Sequence, residues 1–178
     1  MKVIERDIFP YQQNDFLSPI RNKIDYARLL VYSSRQLLLN DETKGYDSIA
    51  KLKVVIDKMS RLFIYQKHSY FSVAFPFTIL TDTENNVINI NTYSGNKLDN
   101  LTISSVISIL NNESFTNNPS LFQFPFDPSN LEYNGVMMLE EIFQFEPSYI
   151  RYDHDSKNLK GKHHPLDHLD INYSQCGT

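Results

Sequence analysis

Apolar residues recur at helical spacing between residues 20 and 38. The stripe consists of Ile20, Ile24, Ala27, Val31 and Leu38. Because these positions fall on one side of a 3.6-residue period, they predict an amphipathic helix of about five turns. Ser18 followed by Pro19 is typical of a helix start, with a capping hydroxyl before a proline at the first helical position. We therefore expect this helix to begin at Ser18.

A second apolar stripe with similar spacing follows a polar turn. Its members are Ile49, Leu52, Ile56, Met59 and Phe63. Asp47 precedes them and can cap a second helix. Two helices joined by a short turn predict an antiparallel helical hairpin over about residues 18–66. The hairpin is either a packing scaffold or, since Tyr26, Arg28 and Tyr32 decorate it, a docking surface for a partner.

The hydrophobic period then changes from helical to alternating. The segment Tyr70–Leu80 is aromatic and β-branched, and Val87–Asn91 alternates apolar with polar residues, as strands do. Glu84–Asn86 lies between them and has the composition of a turn, so the two segments predict a β-hairpin. Pro76 cannot donate to a hydrogen-bond ladder, which places it at a sheet edge or a bulge.

Two more helices are predicted before residue 148. Asp99 can cap the first, which runs to Leu110. The second runs from about Pro128 to Pro147, and Gly135 within it lowers helix stability by about 1 kcal/mol relative to alanine. The inner side of this second helix carries Leu131, Met138, Leu139 and Ile142.

These elements predict an α+β fold. We expect an N-terminal antiparallel helical hairpin at about 18–66, followed by a mixed, mainly antiparallel sheet with covering helices at about 68–178. The chain has 178 residues, a length that fits one domain spanning 1–178. Its 12 Phe and 11 Tyr residues are enough to fill a hydrophobic core.

Composition narrows the classes of function. The formal net charge of -4 argues against a protein that coats nucleic acid with a strongly basic surface. One cysteine, Cys176, excludes an intrachain disulfide and a Cys-rich zinc site. No apolar run approaches the roughly 20 residues that cross a bilayer, and the first residues lack a signal-peptide pattern. The sequence therefore predicts a cytoplasmic protein with no membrane partner.

The C-terminal residues 149–173 combine charges and imidazoles in a pattern that indicates chemistry. Four of the five histidines fall between residues 154 and 168. If residues 149–154 and 168–173 are paired strands, side-chain alternation separates their apolar from their polar residues. With the apolar residues toward the core, one polar face would carry Arg151, Asp153, His168, Asp170 and Asn172.

This polar face fits acid–base cleavage of a phosphodiester. His164 and His168 would transfer protons, and Arg151 would stabilise the phosphate charge. Asp153 would orient an imidazole, as the acid of a catalytic triad does. The substrate-binding residues would be Lys160 and Lys162 from the loop, with Asp170 and Asn172 from the second strand.

Two other interpretations fit the same residues. The first is a divalent metal ion as cofactor, with His164, His168 and Asp153 as its ligands, since imidazole and carboxylate are ordinary metal ligands. The second is structural, in which an ion pair of Arg151 with Asp153 or Asp170 fixes the hairpin and the histidines do no chemistry.

The motif resembles the C-terminal motif of DUF2290, a bacterial and archaeal family of unknown function. The matching positions are Arg151, Asp153, Asp155, His164, Pro165 and His168. Some members of that family occur beside helicase genes in anti-phage loci, so the resemblance implies a bacterial defence protein. Members continue after the motif into a further apolar segment, whereas this sequence ends at Thr178. We therefore expect a completing segment to lie outside this sequence or to come from a partner.

Two functional hypotheses follow. In the first, this is a prokaryotic defence or toxin-type protein that acts on a phosphate-containing substrate, nucleic acid above all, as a nuclease-like phosphodiesterase. In the second, it is a non-catalytic accessory subunit that docks through the helical hairpin on a larger partner, such as a helicase-like ATPase or another defence-system protein.

Overall fold

The computed structural model describes residues 1–39, 47–124, 132–156, 159, 163 and 165–172. The strands are β1 (Lys2–Ile8), β2 (Ala50–Ile56), β3 (Arg61–Tyr65), β4 (Ser69–Ala74), β5 (Thr78–Thr81), β6 (Val87–Asn91), β7 (Tyr149–His154) and β8 (Asp167–Asn172). The helices are α1 (Gln13–Phe16), α2 (Lys23–Leu38), α3 (Asn100–Leu110), α4 (Glu113–Asn117) and α5 (Tyr133–Gln144). Helices combine with antiparallel sheets, so the predicted α+β class is confirmed.

The chain divides into two compact units. Unit 1 consists of Met1–Asn22, Thr43–Phe75 and Glu146–Thr178. Unit 2 consists of Lys23–Glu42 and Pro76–Phe145. The predicted C-terminal site therefore belongs to unit 1, whose chain returns from unit 2 shortly before β7.

Unit 1 contains a six-stranded antiparallel sheet in the order β1-β2-β3-β4-β7-β8. Strands β1 to β4 are sequential neighbours, and β7 then pairs with β4 and with β8. The turn between β3 and β4 is short, since the Gln66 N–H donates to the Ser69 carbonyl at 2.8 Å. Strand β8 therefore lies at one edge of the sheet and β1 at the other.

The two faces of this sheet differ in burial. On one face, which we call the buried face, the aliphatic side chains of β1 to β4 are shielded from solvent: Ile4, Ile8, Leu52, Val54, Leu62, Ile64 and Val73. The other face carries Tyr65, Tyr70 and Tyr152, which are paired directly across three strands. We call it the tyrosine face. Tyr70 on this face is 38% exposed.

The predicted N-terminal helical hairpin is wrong. The chain begins with strand β1, and residues 50–65 form the strands β2 and β3 instead of a second helix. Leu52, Val54 and Ile56 also stand at alternate positions, as do Leu62 and Ile64, so the same residues fit a strand period. Pairing of β2 with β1 and of β3 with β4 selects the strand conformation.

In unit 2 the predicted first helix is present as α2, but it begins at Lys23 and not at Ser18. Ile20 is buried ahead of the helix, and Ser18 Oγ donates to the Asn14 carbonyl at 2.7 Å. The serine therefore closes the short helix α1 and does not cap α2.

The predicted hairpin around residues 82–86 is confirmed as β5 paired with β6. The predicted first strand, Tyr70–Leu80, is divided into β4 and β5, which belong to different units. Pro76 lies between them, where it interrupts no ladder.

Helices α3 and α5 pack against each other in unit 2. The predicted inner residues Met138, Leu139 and Ile142 are buried. A Cβ added to Gly135 would lie against Ser105 Oγ and 3.0 Å from the Ser105 Cβ and carbonyl carbon. The close approach of α3 thus explains why position 135 is a glycine.

Several sequence predictions lie outside the described residues. These are the turn at 40–46, the helix start at Pro128 with Leu131, Tyr173, and the lone Cys176. In the described ranges, no helix is both long enough and apolar enough to cross a bilayer.

We expect Asp99→Ala to destabilise the protein by about 1 kcal/mol at neutral pH, because Asp99 caps α3. Its carboxylate accepts from the Thr102 N–H at 2.8 Å, and this bond lowers the pKa of Asp99 below its ordinary value of 3.8. The contribution of the Asp99 carboxylate to the free energy of unfolding is therefore complete above about pH 4. It is lost as the pH falls through the lowered folded-state pKa of Asp99. Urea unfolding against pH measures it.

The matched control for this cap is Asp47→Ala. Asp47 precedes β2 and begins no helix, so this variant should unfold like the wild type at every pH. Equal losses of stability in the two variants would contradict the capping role of Asp99.

Gly135→Ala should destabilise the protein by about 1–3 kcal/mol through overpacking, although alanine is the better helix former by about 1 kcal/mol. Thermal unfolding measures the change. Ser105→Ala removes a buried hydroxyl that has no hydrogen-bond partner among the described residues. Ser105→Ala alone should leave the stability nearly unchanged. Combined with Gly135→Ala, it should recover part of the stability that Gly135→Ala loses. A stabilised Gly135→Ala protein would contradict the close approach of the two helices.

Candidate functional site

The antiparallel pairing of β7 with β8 brings four polar residues together. Arg151 is directly opposite Asp170, and Asp153 is directly opposite His168. Directly opposite residues share a face, as do residues two apart along a strand. The four side chains therefore form a two-by-two array at the end of the sheet, which we call the Arg–Asp–His cluster. The predicted convergence of these four residues is confirmed.

Asp153 is the common partner within this cluster. Its Oδ2 lies 2.5 Å from Arg151 Nε and 3.6 Å from His168 Nε2. The first distance is that of an ion pair with a hydrogen bond, whereas the second exceeds hydrogen-bond length. The Asp153 side chain is 16% exposed and the Arg151 side chain 42%. The carboxylate is thus shielded, while the guanidinium still reaches solvent.

Arg151 remains a cation in this setting. Partial burial acts to lower the pKa of Arg151, but the hydrogen bond and the charge of Asp153 outweigh it and raise that pKa. Tyr149, two residues earlier on the same face, has a raised pKa because it is buried, although Arg151 acts in the opposite direction. A neutral phenol therefore lies beside the fixed positive charge of the cluster.

A cavity of about 100 Å³ adjoins the cluster within unit 1. Arg151, Asp153 and Tyr149 line it, together with Ser18 and Pro19. One water in the liquid takes about 30 Å³, so the cavity holds a few waters or one small anion. It is smaller than the roughly 300 Å³ at which pockets for whole organic ligands begin.

Three members of the cluster could hold a cation. Asp153, His168 and Asp170 each offer one ligand atom, and these atoms lie within 4.8 Å of one another. Carboxylate oxygens with one imidazole nitrogen form a donor set that divalent cations such as Mn²⁺ or Zn²⁺ accept. Arg151 pairs with Asp153, so a cation would compete with the guanidinium for that carboxylate.

The predicted orientation of these strands is wrong. The sequence placed the apolar residues of β7 and β8 toward the core, but Leu169 is 53% exposed and Ile171 is 45% exposed. Through the strand pairings they share the tyrosine face, whereas Arg151 and Asp153 continue the buried face of β1 to β4. The aliphatic residues of β1 to β4 determine which face of the sheet is buried. Strands β7 and β8 follow that orientation because they belong to the same sheet.

Other predicted site residues cannot be assigned to the cluster. His164, Lys160 and Lys162 lie outside the described residues. Asn172 is described only as the last residue of β8. His163 is exposed. The roles predicted for these residues therefore stay predictions.

A second set of interactions on the tyrosine face was not predicted from the sequence. The Tyr152 hydroxyl donates to Asp167 Oδ1 at 2.7 Å, and His154 Nδ1 lies 2.7 Å from the same oxygen. The bond with Tyr152 is the main cause that lowers the pKa of Asp167, and it also raises the pKa of Tyr152. Asp167 thus fixes two rings that project from β7.

These rings border a cavity of about 740 Å³ in unit 1. His68 lies in the turn between β3 and β4, and its ring centroid is 5.9 Å from that of His154. The alternation of Phe63 with Tyr65, followed by Tyr70, is the sequence signal for this surface. It becomes visible once residues 61–72 are treated as a hairpin.

No protein-family profile, curated protein or solved structure matches this chain. The resemblance of the C-terminal motif to DUF2290 and the defence context that it implies therefore stay predictions.

Proposed function

We propose that the Arg–Asp–His cluster is a phosphate-directed site that works with a divalent cation. The observation that supports it most is the two-by-two array, in which two adjacent strands present a guanidinium, two carboxylates and an imidazole on one face. Cations and guanidinium groups both stabilise phosphate oxygens. The combination favours chemistry on a phosphate group over chemistry on a neutral substrate.

Asp153, His168 and Asp170 are the proposed ligands of the cation. Their ligand atoms lie within 4.8 Å of one another, so small rotations of these side chains would bring them to coordination distance. Such a cation would act as a Lewis acid and would lower the pKa of a water molecule bound to it. His164, if it joins the site, would add a ligand or a proton-transfer group.

Arg151 is the proposed phosphate anchor. A guanidinium has five N–H donors, so Arg151 can hold Asp153 through Nε and still present its terminal nitrogens to a phosphate. The Arg151 side chain as a whole is 42% exposed, which supports access of a phosphate to it. Its raised pKa keeps the positive charge at every physiological pH.

The small cavity limits the kind of substrate. A space of about 100 Å³ admits a phosphate group but not a whole nucleotide. The substrate would therefore present a phosphate at the protein surface, as the backbone of RNA or DNA does. We accordingly propose a nuclease-like phosphodiesterase, with Lys160 and Lys162 available as further phosphate contacts.

The alternative of an accessory subunit loses its predicted docking surface. That hypothesis assigned docking to an N-terminal helical hairpin, and residues 50–65 form strands instead. A helicase-like partner and a role in bacterial defence therefore rest on the resemblance alone. The cytoplasmic location stays a prediction from composition.

Binding of Mn²⁺ tests the cation site directly. We expect the wild-type protein to bind Mn²⁺ in isothermal titration calorimetry and Asp170→Asn to bind it about tenfold or more weakly, since one ligand is replaced. Asp167→Asn is the matched control, because Asp167 lies on the same strand but faces the opposite side. Absence of Mn²⁺ binding, or equal affinities in all three proteins, would exclude the site.

Cleavage of end-labelled RNA and DNA tests the chemistry. We expect cleavage by the wild type in Mn²⁺, no cleavage in EDTA, and a loss of about 100-fold or more in Arg151→Ala and His168→Ala, since each removes charge stabilisation from the reacting phosphate. His163→Ala is the control, as an exposed histidine outside the cluster. Unchanged cleavage in both cluster variants would assign the activity elsewhere.

A further inference from the structure

The tyrosine face presents a row of aromatic and aliphatic side chains across four strands, which a lysine extends to a fifth strand. The register places Tyr65 opposite Tyr70, Tyr70 opposite Tyr152, and Tyr152 opposite Leu169. Lys51 of β2 is opposite Tyr65 and completes the row. The rings of Tyr70 and Tyr152 have centroids 5.5 Å apart and an interplanar angle of 25°. Three aromatic side chains therefore lie side by side on one face of the sheet.

This row is accessible to a ligand of substantial size. The cavity over it has a volume of about 740 Å³ and includes all three tyrosines among its lining residues. That volume lies within the range of roughly 300–1,000 Å³ that organic ligands occupy in proteins. It exceeds the cavity at the Arg–Asp–His cluster several-fold and can accommodate whole nucleotides.

The charge of this surface differs from that of the chain as a whole. The chain carries a net charge of -4, but the described residues that line the cavity include Lys53, Lys67, His68 and His154 and no Asp or Glu. Lys53 is paired with Glu5 at 3.0 Å, so part of its charge is compensated. Lys67 is exposed in the β3–β4 turn and brings a positive charge to the margin of the aromatic row.

We propose that the tyrosine face binds single-stranded nucleic acid. Bases would stack on Tyr65, Tyr70 and Tyr152, and Lys67 would contact the phosphate backbone. Aromatic side chains on a sheet with basic residues at its margin are the features that single-strand binders use, because unpaired bases expose their ring faces. A duplex hides those ring faces in its stack and offers this surface only its phosphates.

A protein partner is a weaker match to the same surface. The cores of protein–protein interfaces are depleted in lysine, whereas two lysines line this cavity. A polyanion with stackable rings satisfies the cationic and the aromatic groups together. The Arg–Asp–His cluster faces the other side of the sheet, although Tyr70 also lines the small cavity beside that cluster.

Fluorescence anisotropy with labelled oligo(dT), oligo(U) and a DNA duplex of equal length tests the proposal. EDTA in the buffer keeps divalent cations, and with them the proposed cleavage, out of the measurement. We expect at least one single strand to bind more tightly than the duplex, with an affinity that falls as salt rises. The two single-stranded probes distinguish DNA from RNA as the source of the ligand.

Variants on the exposed surface define the site. Tyr70→Ala should weaken binding about five- to 100-fold, the range found when one stacking side chain is removed. Tyr70→Phe should retain binding because it keeps the ring. Lys67→Gln should reduce the salt slope by about one unit, since it removes one phosphate contact. Tyr93→Ala is the matched control, because Tyr93 is 85% exposed and belongs to unit 2.

The same measurements can overturn the proposal. Tyr70→Ala binding with wild-type affinity, or equal affinity for duplex and single strand, would exclude base stacking on this face. Size-exclusion chromatography supplies one further outcome. A wild-type dimer that Tyr70→Ala dissociates, without nucleic-acid binding by either protein, would assign the face to a second copy of the chain.

Discussion

The register of β7 in the six-stranded sheet is the constraint on which both candidate surfaces depend. Tyr152 is paired with Tyr70 on one side and with Leu169 on the other, and its neighbours Arg151 and Asp153 therefore point to the opposite face. Because side chains alternate along a strand, a shift of one residue would exchange the two sets. The tyrosine face and the Arg–Asp–His cluster would then both be lost.

Interactions at both ends of β7 hold this register. At its start, Arg61 Nη2 donates to the Ser148 carbonyl at 2.7 Å and to Ser72 Oγ at 2.9 Å. Ser148 has a φ of 47°, a conformation that costs a non-glycine residue on the order of 1 kcal/mol or more. The bond from Arg61 helps to keep it there. At the other end, the His154 N–H donates to the His68 carbonyl at 3.0 Å.

Elements with a distinct local signal could be predicted from the sequence. The carboxylate of Asp99 begins α3 by accepting from a backbone N–H, and side-chain alternation was enough to predict that Arg151 and Asp170 share one face. Residues 49–63 could not be assigned in this way. Their apolar positions fit a helical and an alternating period at once, so the choice between them depends on pairing with distant strands.

The face on which the cluster lies could not be predicted either, because other strands decide it. Taken alone, β7 and β8 would bury Tyr152 and Leu169. In the sheet, the buried side is the one to which β1 to β4 contribute their aliphatic residues, and Arg151 and Asp153 continue that side.

This sheet has charged side chains on its buried face and large apolar side chains on its tyrosine face, and both features have one origin. The charged groups lie at the end of an apolar layer, where their mutual attraction is stronger than in water. The large apolar side chains lie on the tyrosine face. Proteins retain such departures where binding or catalysis uses them. Since one strand register produces both, a shift in the pairing of β7 that moved either set of side chains would move the other as well.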